Sequence, residues 1–207
     1  MGMTAHYVRV TELELQEILA GGAKKVDAIL ESRRMVRVGV AEQGNEVESL
    51  CQRYAKSGHW HCIEEKADEC GLSEEELVAE SKRKGFHLWF DLDKSYNELH
   101  LLLTGQEFPL DLPKTNKLLS LAVIAEDNIR GTEHYGYGPA RYVKPTRVKE
   151  VAAAFAKTGY HYLVEKNEFD PEDWGLEHDD MEPEFESFKK FYLRAAEAGD
   201  AILLIFE

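Results

Sequence analysis

The sequence predicts an α/β fold, a single-domain three-layer sandwich with a mixed central sheet. Three observations predict it. His6-Tyr7-Val8-Arg9-Val10 alternates as a strand does. Helical and strand-length patterns then follow one another along the chain, which points to helices layered on a sheet. Ala201 to Phe206 is a continuous apolar run of strand length, suited to a central strand covered on both faces.

After the first strand, Thr11 and Glu14 stand in capping-box register and open a helix through Leu13, Leu15, Ile18 and Leu19. Gly21-Gly22 stops it. A second helix is predicted from Ala23 to about Ser32, with Val26, Ile29 and Leu30 on one face. Met35, Val36, Val38 and Val40 suit either a strand or a continuation of that helix. Residues 41–85 are polar and helix-forming: Val47, Leu50, Cys51 and Tyr54 keep helical spacing, and Ser73 with Glu76 forms a second capping box.

Phe86 to Phe90 is a short aromatic run. Asp91 or Asp93 is then placed to cap a helix burying Tyr96, Leu99, Leu102 and Leu103, which Gly105 ends in a left-handed turn. Pro109 and Pro113 mark a loop. Leu118 to Ala125 is apolar enough for a buried element, and Arg141-Tyr142-Val143 reads as a short strand. Pro145 suits the first turn of a helix carrying Val148, Val151, Ala152 and Phe155. Phe185, Phe188, Phe191, Tyr192 and Ala195 form a last helical stripe, which Gly199 terminates.

Composition narrows the classes of function. With 207 residues, 43% hydrophobic and 31% charged, the chain can bury a continuous core. No run reaches the ~18 apolar residues of a membrane span. Arg9, Glu12 and Glu14 interrupt any secretory leader, so a cytoplasmic protein is expected. Cys51, Cys62 and Cys70 are an odd number without a C-x-x-C, which argues against a disulfide framework.

The net charge of −14 is uneven: from Glu165 to Glu186 there are eleven acids and one base, a net −10. Such a surface repels nucleic acid, whose binding requires basic groups that displace counterions. Anionic membranes are disfavoured for the same reason. The segment permits a basic protein partner, and solvation of a surface explains it equally well.

The most distinctive block is Tyr135-Gly136-Tyr137-Gly138-Pro139-Ala140-Arg141-Tyr142. Together with Met1-Gly2-Met3, the segment from Leu92 to Gly105, the helix from Pro145 and the closing stretch from Phe188 to Ala196, it resembles the YfbM-like family of small bacterial proteins of unknown function. The resemblance implies a compact three-layer α/β fold over 1–207 and a bacterial, cytoplasmic protein. It brings no catalytic assignment. It also implies that a stretch near 43–85 is a helical insertion on the common core. Trp174-Gly175 departs from the tyrosine-proline motif expected there.

Four constellations merit chemistry. In the glycine-tyrosine block, Arg141 offers a planar fork for carboxylate or phosphate, with Tyr135, Tyr137 and His134 adding hydroxyls and an imidazole. With Asp93 and His100 they form a candidate ligand-binding set. The alternative is an internal ion pair of Arg141 with Asp91 or Asp93 that fixes strand register. A third glycine is missing where a dinucleotide fingerprint needs one.

Asp91, Asp93, Tyr96 and His100 form the second constellation, since the spacing lets Asp93, Tyr96 and His100 share a helical face. A carboxylate there suits an imidazole general base, although no nucleophile elbow accompanies it. A capping aspartate beside a structural histidine explains the same residues.

His59, His61, Cys51, Cys62 and Cys70 match no common zinc spacing. The run from Asp170 fails as an EF-hand, because Trp174 and Met181 fall at ligand positions. No metal or cofactor is expected, and the sequence sets no oligomeric state. Without a catalytic motif, the expected function is a non-catalytic interaction module, an immunity- or antitoxin-like acidic partner. Asp170, Glu172, Asp173, Asp179 and Asp180 are its candidate protein-binding residues. The alternative is a small-molecule-binding protein or enzyme with an anion pocket around Arg141 and Tyr137.

Overall fold

The computed structural model describes residues 3–39, 88–92, 95–109, 112, 115, 117–170 and 178–206. The expected insertion near 43–85, the cysteines, His59, His61 and Asp93 lie outside the described residues. Alternating side chains build the framework. Strands β1 (Ala5–Val10), β2 (Trp89–Asp91), β3 (Asp127–Asn128), β4 (Arg141–Val143) and β5 (Ala201–Phe206) form one sheet, in the order β2-β1-β5-β4-β3. The period of two sends Ala5 and Tyr7 of β1, Val143 of β4, and Ile202, Leu204 and Phe206 of β5 to one face. Val8, Val10, Tyr142, Ala201, Leu203 and Ile205 go to the other.

Helices cover both faces. On the second face lie α1 (Glu12–Gly21) and α2 (Ala23–Gly39), through Leu15, Ile18, Val26, Ile29 and Leu30. The first face carries α3 (Tyr96–Thr104), α4 (Leu118–Ile124), α5 (Pro145–Phe155), α6 (Tyr160–Asn167) and α7 (His178–Ala198). The expected α/β sandwich is therefore present, with β5 buried along its whole length between neighbours.

The mixed sheet needs correction. All four pairings among the described strands are antiparallel, with β1 and β5 matched from Ala5↔Phe206 to Val10↔Ala201. Alternation dictates a parallel pair only where a single helix returns the chain between neighbouring strands. Here no two described strands are joined by one helix alone, so helix–strand alternation leaves strand direction open.

Local expectations fare unevenly. The Thr11 hydroxyl accepts from the Glu14 N–H at 3.2 Å while Glu14 accepts from the Thr11 N–H at 2.7 Å, a capping box worth about 1 kcal/mol. Residues 35–39 continue α2 rather than forming a strand. The cap of α3 is Ser95, not Asp91, because Asp91 is drawn into the β2 ladder. Gly105 ends α3 at φ 67 as expected. The last helix begins at His178, ahead of its aromatic stripe, and includes Pro183. Its exit is fixed by a buried ion pair, Arg9 Nη2 to Asp200 Oδ2 at 2.8 Å, which ties β1 to the turn before β5.

Candidate functional site

Arg141 is the charged centre of the glycine-tyrosine block, and it points inward. Its position in β4 shares the face of Val143, so the side chain runs beneath the end of α4. Nε donates to Ile124 O at 2.5 Å, and Nη1 donates to Leu112 O at 2.8 Å and Asn128 Oδ1 at 2.6 Å. Nη2 reaches Ala125 O at 3.5 Å. The residue is 2% exposed. Burial lowers the guanidinium's affinity for its proton, and Asp127 partly opposes that.

Two of these acceptors belong to strained backbone. Leu112 has φ 44 and Ala125 φ 59, left-handed conformations that cost a residue with a Cβ. The arginine fork holds both turns closed. Its expected partner Asp91 is elsewhere: Asp91 Oδ2 lies 3.1 Å from His6 Nδ1, across the β1–β2 register.

The rest of the block splits across the sheet. Tyr135 packs against the face bearing α1 and α2, and its hydroxyl donates to the Asp27 carboxylate and reaches Ala23 O at 3.4 Å. His134 is exposed and lies against the Tyr135 ring, with centroids 4.7 Å apart. Tyr137 is 55% exposed, and its N–H donates to Phe206 O at 3.0 Å. Gly136 at φ 44 and Gly138 at φ 153 make these turns, and the second angle is one only glycine adopts readily. The block therefore sends Tyr135 to one face and Arg141 to the other.

His100 is buried between α3 and α4. Gln106 O, which can only accept, lies 3.0 Å from Nδ1, so that nitrogen carries the proton. Nε2 then accepts from the Ser120 hydroxyl at 3.0 Å. Burial pushes the imidazole's pKa down, and nearby Lys117 adds to that. Tyr96 shares its helical face, and both rings meet Phe108. Ser120 is the partner sequence reasoning missed, from a helix whose apolar pattern gave no sign of it.

A hydroxyl–imidazole–carboxylate chain at the other end of the sheet was equally hidden. Thr4 Oγ1 lies 3.1 Å from His6 Nε2, and His6 faces Asp91. The order resembles a nucleophile relay. The strand carrying His6, however, pairs with β2 on one side and β5 on the other, so its N–H groups serve the sheet and not an oxyanion.

The acidic segment borders α6 and α7. Glu165, Glu168 and Asp170 are exposed, and Tyr162 on the same helix is 57% exposed. Glu172 and Asp173 lie outside the described residues, as do the side chains of Asp179 and Asp180 in the first turn of α7. Lys189 Nζ pairs with Glu186 at 3.2 Å and donates to Thr158 O at 3.2 Å. Glu182 faces His161 Nε2 at 3.6 Å instead, with the imidazole 84% and the carboxylate 44% exposed. Beside them Tyr160, 4% exposed, packs on Phe185, and its hydroxyl is buried without a hydrogen-bond partner among the described residues. Burial raises the pKa of that phenol, and the nearby Glu182 charge raises it further.

Among the described residues no group of histidine, cysteine and carboxylate side chains is arranged to hold a metal. No described helix is long and apolar enough to cross a membrane. The family model described as a domain of unknown function (DUF1877) matches residues 1–205, and the chain belongs to that family. Among solved structures the chain is similar to YfbM from Escherichia coli, a protein of unknown function. The identity is 13%, 99% of each chain is covered, and the TM-score is 0.45. No curated protein matches the chain.

Proposed function

We propose that this member of the DUF1877 family is a non-catalytic interaction module, an immunity- or antitoxin-like acidic factor that binds a basic protein. The observation that carries the reading is the net −10 between Glu165 and Glu186, together with the exposed Glu165, Glu168 and Asp170 beside exposed Tyr162. Clustered like charges raise the encounter rate with an oppositely charged partner, and an exposed aromatic supplies area for contact.

The alternative, an anion pocket at Arg141 and Tyr137, draws less support from the geometry. The guanidinium already serves main-chain carbonyls and Asn128, while Tyr137 points outward. The His100–Ser120 pair is buried, and both ring nitrogens are already engaged, by Gln106 O and the Ser120 hydroxyl.

Native mass spectrometry of the protein isolated gently from its own cells tests the reading. A stoichiometric basic protein partner is expected, lost when Glu165, Glu168 and Asp170 are all changed to Lys. A partner retained after that reversal contradicts it. So does a small-molecule adduct in place of a protein.

A further inference from the structure

We propose that the Tyr160 hydroxyl and the Glu182 carboxylate form an anchor for one arginine side chain of the basic partner. The inference rests on the interaction reading above and names the point at which that surface recognises its partner.

The starting point is an imbalance in how the fold treats its buried tyrosines. The Tyr7 hydroxyl donates to Val123 O at 2.9 Å and the Tyr192 hydroxyl to Ala122 O at 2.7 Å. Tyr160 is 4% exposed against 0% for those two, and its hydroxyl has no hydrogen-bond partner among the described residues. A buried polar atom without a partner costs free energy, and native proteins keep few of them. Among the described residues two other side chains have an unpartnered buried oxygen, Glu98 and Glu126. Each is a carboxylate with a second oxygen in use: Glu98 accepts a backbone N–H, and Glu126 Oε1 faces Lys144 at 3.7 Å. Tyr160 has no second polar atom.

Its surroundings say what would satisfy it. Glu182, whose charge the phenol feels, faces an imidazole at 3.6 Å, whereas Glu186 one turn further along α7 has Lys189. Lys189 itself is turned toward Glu186 and Thr158 O, 3.2 Å from each. The corner thus holds a carboxylate that faces no lysine or arginine among the described residues, an acceptor oxygen and the exposed ring of His161. A guanidinium carries donors in a planar fork, enough for both oxygens, and its face stacks on an aromatic ring. An ammonium is a point charge without that plane. The His161 ring lies 5.5 Å from that of Tyr160, and both His161 and Glu182 are exposed side chains, which change rotamer on a fast timescale.

The test titrates hexa-arginine amide and hexa-lysine amide against the full chain. It compares wild type, Tyr160→Phe, Glu182→Gln and the Glu165→Lys/Glu168→Lys/Asp170→Lys triple variant, each also melted thermally. Hexa-arginine should bind more tightly than hexa-lysine. Tyr160→Phe should weaken hexa-arginine about fivefold and Glu182→Gln about tenfold, with hexa-lysine little changed by the first. Because Tyr160→Phe removes an unsatisfied hydroxyl, it should also raise Tm by about 2–3 °C. A merely structural hydroxyl would lower Tm and leave the arginine preference intact, and that result overturns the anchor. If only the triple variant weakens binding, the anchor fails and the interaction reading stands. If hexa-arginine does not bind wild type at all, both fail.

Discussion

Arg141 and Tyr160 are 2% and 4% exposed, and the fold treats the two buried polar groups in opposite ways. The guanidinium has four acceptors drawn from three stretches of chain: Leu112, the end of α4 with Ala125, and Asn128 of β3. The phenol has no partner among the described residues. A buried charge survives only when its donors are filled, so a filled arginine belongs to the architecture. An unfilled hydroxyl at the rim of an acidic surface costs the free protein stability. Exposure alone does not separate these two cases. The hydrogen-bond inventory does.

The comparison is broken most severely at Arg141. Arg141→Ala should destabilise by roughly 3–5 kcal/mol, since it strands several buried carbonyls and releases the left-handed turns at Leu112 and Ala125. Urea denaturation checks this, through a lower midpoint at an unchanged slope. Arg141→Lys keeps the charge but loses the fork, and should cost about 1.5–3 kcal/mol by the same measurement.

His100 offers an intermediate effect with a pH signature. Its folded pKa lies below the ordinary 6.5, chiefly through burial. Above that value the histidine is neutral folded and unfolded, and its contribution is complete. As pH falls below 6.5 the unfolded chain takes the proton first, so stability is progressively lost. His100→Gln, whose amide oxygen can still accept from Ser120, should flatten the difference between melts at pH 7 and pH 5 relative to wild type. An identical difference in both proteins would remove His100 as the cause. The smallest stability effect belongs to Tyr160→Phe, a gain of about 1 kcal/mol.

Much of the framework was legible in the sequence, because periodicity and caps are local. The strand at β1, the capping box at Thr11 and Glu14, the stop at Gly105, Pro145 at the start of α5 and the buried run of β5 each stand where side-chain pattern puts them. Helix α6 was not foreseen: it has eight residues, its cap Gly159 offers no side chain, and its two tyrosines obscure the apolar stripe.

The candidate site was legible only in its residue types. Arg141 was marked as a fork, but its acceptors are carbonyls, which every residue carries and no sequence pattern flags. The partners of His100 and Asp91 come from Ser120 and His6, distant in the chain and brought together by packing alone. The unpartnered state of Tyr160 is a property of its neighbours, so no reading of residue 160 by itself reveals it.

The measurement that bears most directly on the contrast is a pair of thermal melts at pH 7, Arg141→Lys and Tyr160→Phe beside wild type. The account predicts opposite signs: a Tm lower by about 5–10 °C for the first and higher by about 2–3 °C for the second. Two variants that both fall, or an Arg141→Lys protein that melts with wild type, would contradict it.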